Sequence, residues 1–205
     1  MISVASIVPL VSVEVPSCPD PVVSWGIQMA AQDYFRDTEL WRVEADAVIT
    51  VDEAEVELDL PQGTVLNAIY NVYDAGRLLV HGRPDTVATA SENWMTRTDT
   101  SIEQFWPSSP TAIRVYPINT VSASLSVYCS VIPGFSSDSF PEYGGDFIQT
   151  IRVGALWKLQ SMVGKAWTNE AAAGQNAILF NAGTVRAKIN STRSGNSVMR
   201  VTMRA

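Results

Sequence analysis

The spacing of apolar positions changes character twice along the chain. Val22, Val23, Gly26, Ile27, Ala30, Ala31 and Tyr34 recur at helical spacing, through to about Thr38. Asp20 stands where an N-cap would, with Pro21 at the first helical position. These features predict a helix over residues 19–38. From about Leu40 to Pro133 the texture becomes that of strands: Val, Ile, Thr, Ser and aromatics dominate, and turn signals recur at Leu60-Pro61-Gln62-Gly63, Asp74-Ala75-Gly76 and Pro107-Ser108-Ser109-Pro110. Val65 to Tyr73 with Arg77 to Val80 reads as a hairpin, and Ala112 to Tyr116 with Ser122 to Val131 as a second strand pair. Further strands are expected around Val43 to Val51 and at Glu53 to Leu60.

Helical spacing returns after Gly145. Phe147, Ile148, Ile151, Ala155, Leu156, Leu159 and Met162 make one wide apolar stripe, with Asp146 at the N-terminal end and Gly164 as the expected stop. Thr168 or Asn169 is placed to cap a third helix, carrying Ala172, Ala173, Asn176, Ala177, Phe180, Val185 and Ile189 to about Asn190. Gly174 and Gly183 each oppose that helix by about 1 kcal/mol. One helix, a run of strands and two helices predict an α+β chain. Its parts are a small helical bundle (19–38 and 146–190), an antiparallel β-sandwich-like module inserted between helices 1 and 2 (40–133), and a C-terminal arm (191–205). The first 18 residues are apolar but hold Glu14 and two prolines and lack a basic leader, so they read as an extended arm and not a signal peptide.

Composition narrows the function. Of 205 residues, 46% are hydrophobic and 17% charged, enough apolar material for a core and unlike a disordered chain. No run reaches the roughly 20 apolar residues of a membrane span. One histidine (His81) and two distant cysteines (Cys18, Cys129) give neither a metal cluster nor a disulfide framework, and no metal or cofactor is expected. His81 has no serine, cysteine or carboxylate at an informative spacing and reads as a surface or loop residue. Tyr143-Gly144-Gly145-Asp146-Phe147 is a flexible lead into a capped helix, and Asn190-Ser191-Thr192 carries no weight as a glycosylation acceptor without a secretory signal. An enzyme is not expected.

The net charge of −7 divides unevenly. Residues 1–151 hold six basic and 20 acidic side chains, a balance of −14, whereas residues 152–205 hold eight basic side chains and only Glu170, a balance of +7. Such a split suggests two parts that face different neighbours. Glu53, Glu55, Glu57 and Asp59 alternate with Ala54, Val56, Leu58 and Leu60, so in a strand all four carboxylates project from one side. That row is either a solvated strand face or a charged surface that repels DNA or meets a basic partner; a calcium site needs ligands converging from a loop, which a straight strand spreads apart. At the other end, Arg186, Lys188, Arg193, Arg200 and Arg204 have no aromatic interleaved after Phe180, so no stacking platform for single strands exists there. In the last residues Met199, Val201 and Met203 alternate with Val198, Arg200, Thr202 and Arg204, a pattern suited to strand addition or a groove on an acidic protein partner.

Three stretches then carry a family resemblance. VPSCPDPVVSWGIQMAAQDYFRDTELWR, with Val15, Pro16, Cys18, Pro19, Asp20, Ala30, Phe35, Thr38 and Trp41-Arg42, resembles the opening of phage head-to-tail adaptor (neck connector) proteins. LDLPQGTVLNAIYNVYDAGRLL is similar to that family's Leu-Pro turn, strand and Asp-x-Gly-Arg hairpin. Ile151 to Leu159, then Lys165-Ala166-Trp167-Thr168-Asn169, Ala172, Phe180, Val185 and Ala187-Lys188, is similar to its Gly-Ala-Leu helix, Lys-Pro-Trp turn and last helix. Ala166 departs from the usual proline and is expected to loosen the turn. The resemblance implies a structural virion protein of the neck, made in the host cytoplasm. Its partners would be further copies of itself in a ring, typically dodecameric, the portal protein above, and a tail or nozzle protein below. DNA would pass through the ring without sequence-specific binding. By the same analogy Ser194 to Ala205, including Ser194, Val198, Met199, Arg200, Val201, Met203 and Arg204, would be a portal-docking arm, and Glu53, Glu55, Glu57 and Asp59 a channel wall or docking face.

A second class of function stays open at this point. A β-sandwich that binds a ligand or host receptor would show a cluster of exposed aromatics, which Trp94, Phe105, Trp106 and Tyr116 are placed to supply.

Overall fold

A computed structural model describes residues 1–90, 93–144 and 146–193. The chain begins with β1 (Ile2–Ser3), α1 (Val4–Ser12) and α2 (Asp20–Thr38). There follow β2 (Arg42–Ile49), β3 (Glu55–Glu57), β4 (Thr64–Asp74), β5 (Arg77–Leu78), β6 (Val80–His81) and a short helix α3 (Pro84–Ala90). Then come β7 (Thr98–Asp99), β8 (Gln104–Pro107), β9 (Ala112–Tyr116), β10 (Ile118–Asn119), β11 (Ala123–Pro133) and β12 (Ser139–Phe140). The described chain closes with α4 (Phe147–Gln160) and α5 (Glu170–Arg193). The fold is thus mixed α and β, with five helices and several sheets among the described residues. The described residues divide into two compact units: a helical one built from residues 1–41, 62–64 and 131–193, and a strand-rich one built from 42–61 and 65–130.

In the helical unit, α2 and α4 pack on each other and each also meets α1 and α5. α2 is bounded close to where the sequence puts it, with Asp20 inside the first turn and Pro19 as N-cap, one residue earlier than expected. Glu39, in the left-handed region at φ 52°, closes it by donating its backbone N–H to the Phe35 carbonyl. Around Phe35 gather the rings of Trp41, Phe140, Tyr143 and Phe147, with centroids 5.5–6.1 Å away. Each such pair contributes about 0.5–1.5 kcal/mol beyond the area it buries. The Tyr143 hydroxyl donates to the Leu40 carbonyl at 2.9 Å, which ties Tyr143 to the segment that follows α2.

The N-terminal residues correct the sequence expectation. They are not an extended arm: Ser3 caps α1, and Val4, Ile7 and Val11 on one side of that helix are buried. Pro9 removes one intrahelical hydrogen bond, a cost of about 3 kcal/mol, but its ring faces solvent. Each of the three buried side chains contributes about 1.5–3 kcal/mol, which outweighs the proline. β1 then pairs antiparallel with β12, Ile2 opposite Phe140.

α4 meets α5 through glycine. A Cβ on Gly154 would lie 2.5 and 2.7 Å from ring carbons of Phe180 and 2.9 Å from the Ala30 Cβ; one on Gly183 would lie 2.5 Å from the Thr150 hydroxyl oxygen. The helices approach closely because those side chains are absent. Asn169 caps α5, its side-chain oxygen accepting from the Ala172 N–H at 3.1 Å. α4 ends at Gln160, before Gly164, and α5 continues past Asn190 to Arg193, so residues 191–193 are helix and not arm.

The strand-rich unit contains two four-stranded sheets, ordered β2-β11-β4-β5 and β3-β9-β8-β6. β2 pairs with β11 over eight residues, Ala123 opposite Ile49 through Ser130 opposite Arg42. Exposure alternates strictly along β2, leaving Val43, Ala45, Ala47 and Ile49 buried. The predicted hairpin forms in part, with Tyr73 opposite Leu78 and Asp74 opposite Arg77, while Val80 leaves it to pair with Gln104 in the other sheet. Its two-residue turn, Ala75-Gly76, has both φ angles positive, 47° and 83°, the twist that suits a tight hairpin. The expected second pair does not form: β9 pairs with β3 and β8, while β11 lies in the other sheet. The reason is that alternation specifies which face of a strand is buried and leaves its partner undefined.

Candidate functional site

Three regions of the chain carry the predicted functional residues. The first is the acidic row. Glu53, Glu55, Glu57 and Asp59 are all exposed, and Val56 and Leu58 between them are buried. Alternating exposure therefore extends over the whole stretch, although the strand itself is only Glu55–Glu57 and not residues 53–60. Asp52 at φ 64° turns the chain just before it, and the Thr50 N–H donates to the Glu53 carboxylate at 3.4 Å. Downstream, the Asp59 N–H donates to the Asp46 carbonyl and the Leu58 N–H to the Thr111 carbonyl, so the row continues beyond the regular ladder.

The row is not uniformly negative. Glu55 stands opposite Arg114 in the β3–β9 ladder, and its carboxylate accepts from the Ser108 hydroxyl at 2.9 Å. The Arg114 guanidinium lies over the Trp94 ring, 5.8 Å from its centre. More carboxylates come from β2, where Glu44 and Asp46 occupy exposed positions of the alternating strand. The Tyr128 hydroxyl donates to Glu44 at 2.9 Å across the β2–β11 pair. Sequence reasoning missed these two, although the same alternation, Arg-Val-Glu-Ala-Asp-Ala-Val, announces them.

The second region is the outward side of α5. Its buried row is Ala173, Phe180 and Thr184, whereas Val185 and Ile189, grouped with the buried positions in the sequence, are exposed together with Ile178 and Leu179. The helix carries two apolar rows, and their spacing is similar enough to merge by eye. Arg186 and Lys188 flank the exposed row, Arg186 pairing at 2.9 Å with Asp146, which holds no capping bond of its own. The third region, the arm with Ser194, Val198, Met199, Arg200, Val201, Met203 and Arg204, lies outside the described residues.

The aromatics of the alternative reading do not form an exposed cluster. Phe105, Trp106 and Tyr116 are buried, and Trp94 packs half-buried against the core of Val87, Trp106 and Tyr116. His81 is exposed on β6, its ring edge-on to Phe105 at 5.3 Å. Among the described residues, no three His, Cys, Asp or Glu side chains are grouped to hold a metal ion, and no helix is long and apolar enough to cross a membrane. The perturbed groups are structural: burial pushes the Cys129 thiol and the Tyr34 phenol each up to about 12. Cys18 is raised by burial first and by the nearby Asp20 second. Arg97 is raised chiefly by its hydrogen bond to the Tyr116 hydroxyl.

Compared with protein families, residues 6–202 match the model of the SU10 adaptor protein. The chain belongs to this phage head-to-tail adaptor family. The comparison with curated proteins finds no match. The match runs through both compact units of the adaptor. Membership implies contact with other proteins of the phage neck. It also gives the Gly-Ala-Leu stretch of α4 a physical role, because Gly154 admits Phe180 and the following Ala155 and Leu156 are fully buried. In the turn before α5, Thr168 donates to the Met162 carbonyl and accepts from the Lys165 N–H, fastening the loop around Ala166.

Proposed function

We propose that this adaptor is a non-catalytic structural protein of the virion neck. It assembles as a ring, dodecameric as in the family it resembles, beneath the portal, extends the DNA channel, and offers tail or nozzle proteins a platform. Its helices form a bundle and its two four-stranded sheets a sandwich. The carrying observation is that the adaptor-family match covers residues 6–202, nearly the whole chain. The charge division supports the reading: an acidic stretch over residues 1–151 and a basic one over 152–205 suit a component that touches different neighbours.

In a ring every surface charge recurs once per subunit. Glu53, Glu55, Glu57 and Asp59, joined by Glu44 and Asp46, become a negative collar. Facing the lumen, such a collar repels the phosphate backbone and keeps DNA from adhering to the wall. The C-terminal residues from Ser194 onward, with alternating apolar and basic side chains, dock on the portal. The test is the native mass of the chain mixed with the portal ring of its own phage, beside a version ending before Ser194. A discrete complex with about one copy per portal subunit, lost on truncation, is the expected result. Two species that ignore each other overturn portal docking.

A further inference from the structure

The exposed row of α5 has the features of a protein contact. Ile178 is 71% exposed, Val185 56% and Ile189 45%, and these residues fall at intervals of seven and four, on one side of the helix. At 1.5 Å per residue the row is about 16 Å long. It is flanked by Arg186 and Lys188. The Arg186–Asp146 ion pair is exposed on both sides and so contributes little, leaving that guanidinium available to another carboxylate.

A complementary face exists in the same unit. Between α1 and the start of α2 lies a groove of about 650 Å³, with Val8 and Pro9 as apolar lining and Asp20 and Asp138 as its carboxylates; no basic side chain lines it. Next to it Leu10 is 47% exposed on α1, a helix of nine residues and so about 13 Å long. One face is apolar and basic, the other apolar and acidic, and they are similar in length. α1 and α5 both pack on α2 and α4, which leaves each with an outward side of its own. Two unlike, complementary faces on one subunit generate a head-to-tail contact that closes into a ring when the rotation allows.

We propose that the partner of the α5 row is a second copy of this chain: Ile178, Val185 and Ile189 of one subunit seat on the α1 groove of the next, with Arg186 and Lys188 facing Asp20 and Asp138. The inference rests on the ring reading above and assigns its subunit interface. The test is disulfide cross-linking of a chain carrying Val8→Cys and Val185→Cys, read on non-reducing gels, both free at high concentration and bound to the portal. The native Cys18 and Cys129 are buried and do not interfere. A ladder of multimers from the double variant, absent from either single variant, is the expected result. Cross-linked dimers from Val185→Cys alone would mean that α5 meets α5, and they overturn the assignment. So does a portal complex of full stoichiometry without a ladder. A ladder in the free protein without portal binding keeps this interface and removes the docking proposal instead. Independently, Arg186→Glu is expected to weaken self-association several-fold, and Asp20→Lys with Asp138→Lys to restore it; no effect of either change refutes the charge pairing.

Discussion

Two glycines in the helical unit provide a test in which the same chemical change has opposite outcomes. Gly174 lies on the exposed side of α5 with nothing within 4 Å of the position a Cβ would take. Gly174→Ala therefore gains the helix propensity difference, about 1 kcal/mol, and meets no obstacle. Gly154→Ala gains the same propensity but puts its methyl 2.5 and 2.7 Å from the Phe180 ring and 2.9 Å from the Ala30 Cβ. Ordinary carbon contacts need about 3.5–4 Å, so the ring must retreat by about an ångström. Phe180 is only 2% exposed and lies against Trp157, ring centres 5.9 Å apart, so it has no free volume to enter. Overpacking of this kind costs about 1–3 kcal/mol. Propensity cancels between the variants, and their difference in stability is the packing cost itself. For a chain of 205 residues, at roughly 2–4 °C per kcal/mol, Gly154→Ala should melt about 2–12 °C below Gly174→Ala. Thermal unfolding followed by far-UV circular dichroism measures the gap. If Gly154→Ala melts at or above Gly174→Ala, α4 and α5 are not in the close contact described, and the packing argument fails.

Two further outcomes follow from local chemistry. Ala75 occupies the left-handed region in the hairpin turn, which costs an L-residue about 1–2 kcal/mol, so Ala75→Gly should raise the melting temperature by a few degrees; a decrease would show that the turn is not strained. Cys129 titrates near 9 when exposed and about 12 when folded, and Tyr34 near 10 and about 12. Between those values the unfolded chain has lost protons that the folded chain retains, so stability is complete below pH 9 and falls as pH rises toward 12. The urea midpoint measured across that range should decline, with a shallower decline in Cys129→Ala; a flat profile would contradict the burial of both groups.

The sequence disclosed elements more reliably than neighbours. α2, α4 and the start of α5 emerge from caps and spacing because local rules dominate there: a proline-aspartate lead at residues 19–20, and an asparagine cap at 169. The hairpin at 64–78 is legible because Gly76 takes a positive φ at no steric cost between two strand-forming runs. Where tertiary packing decides, the reading fails. Pro9 and Pro16 make the N-terminus look extended, yet burial of Val4, Ile7 and Val11 holds α1 in place. The pairing of β9 with β3 and β8, and not with β11, rests on contacts between residues far apart in sequence. The surface was partly legible too. Alternation exposed the acidic row correctly by residue, but the outward row of α5 looked like core, because an apolar periodicity does not say which of two rows a helix buries.

The crossing points of the chain at the edge of the helical unit have one more consequence. Trp41 is the last residue before the strand-rich segment and Val131 the first after it, and the Val131 N–H donates to the Trp41 carbonyl at 2.8 Å. Gly63, about a quarter of the way through the insertion, is tied to the same unit, its carbonyl accepting from the Gly134 N–H at 2.7 Å. The chain between Trp41 and Val131 therefore leaves the helical unit as two segments, 42–61 and 65–130, whose ends are tied within that unit. Because loop closure entropy grows only with the logarithm of length, residues can be added to the turns that join the strands of either segment at small cost. The protein can thus change what it displays to a new neighbour by editing a loop, while the part that holds its own shape stays as it is.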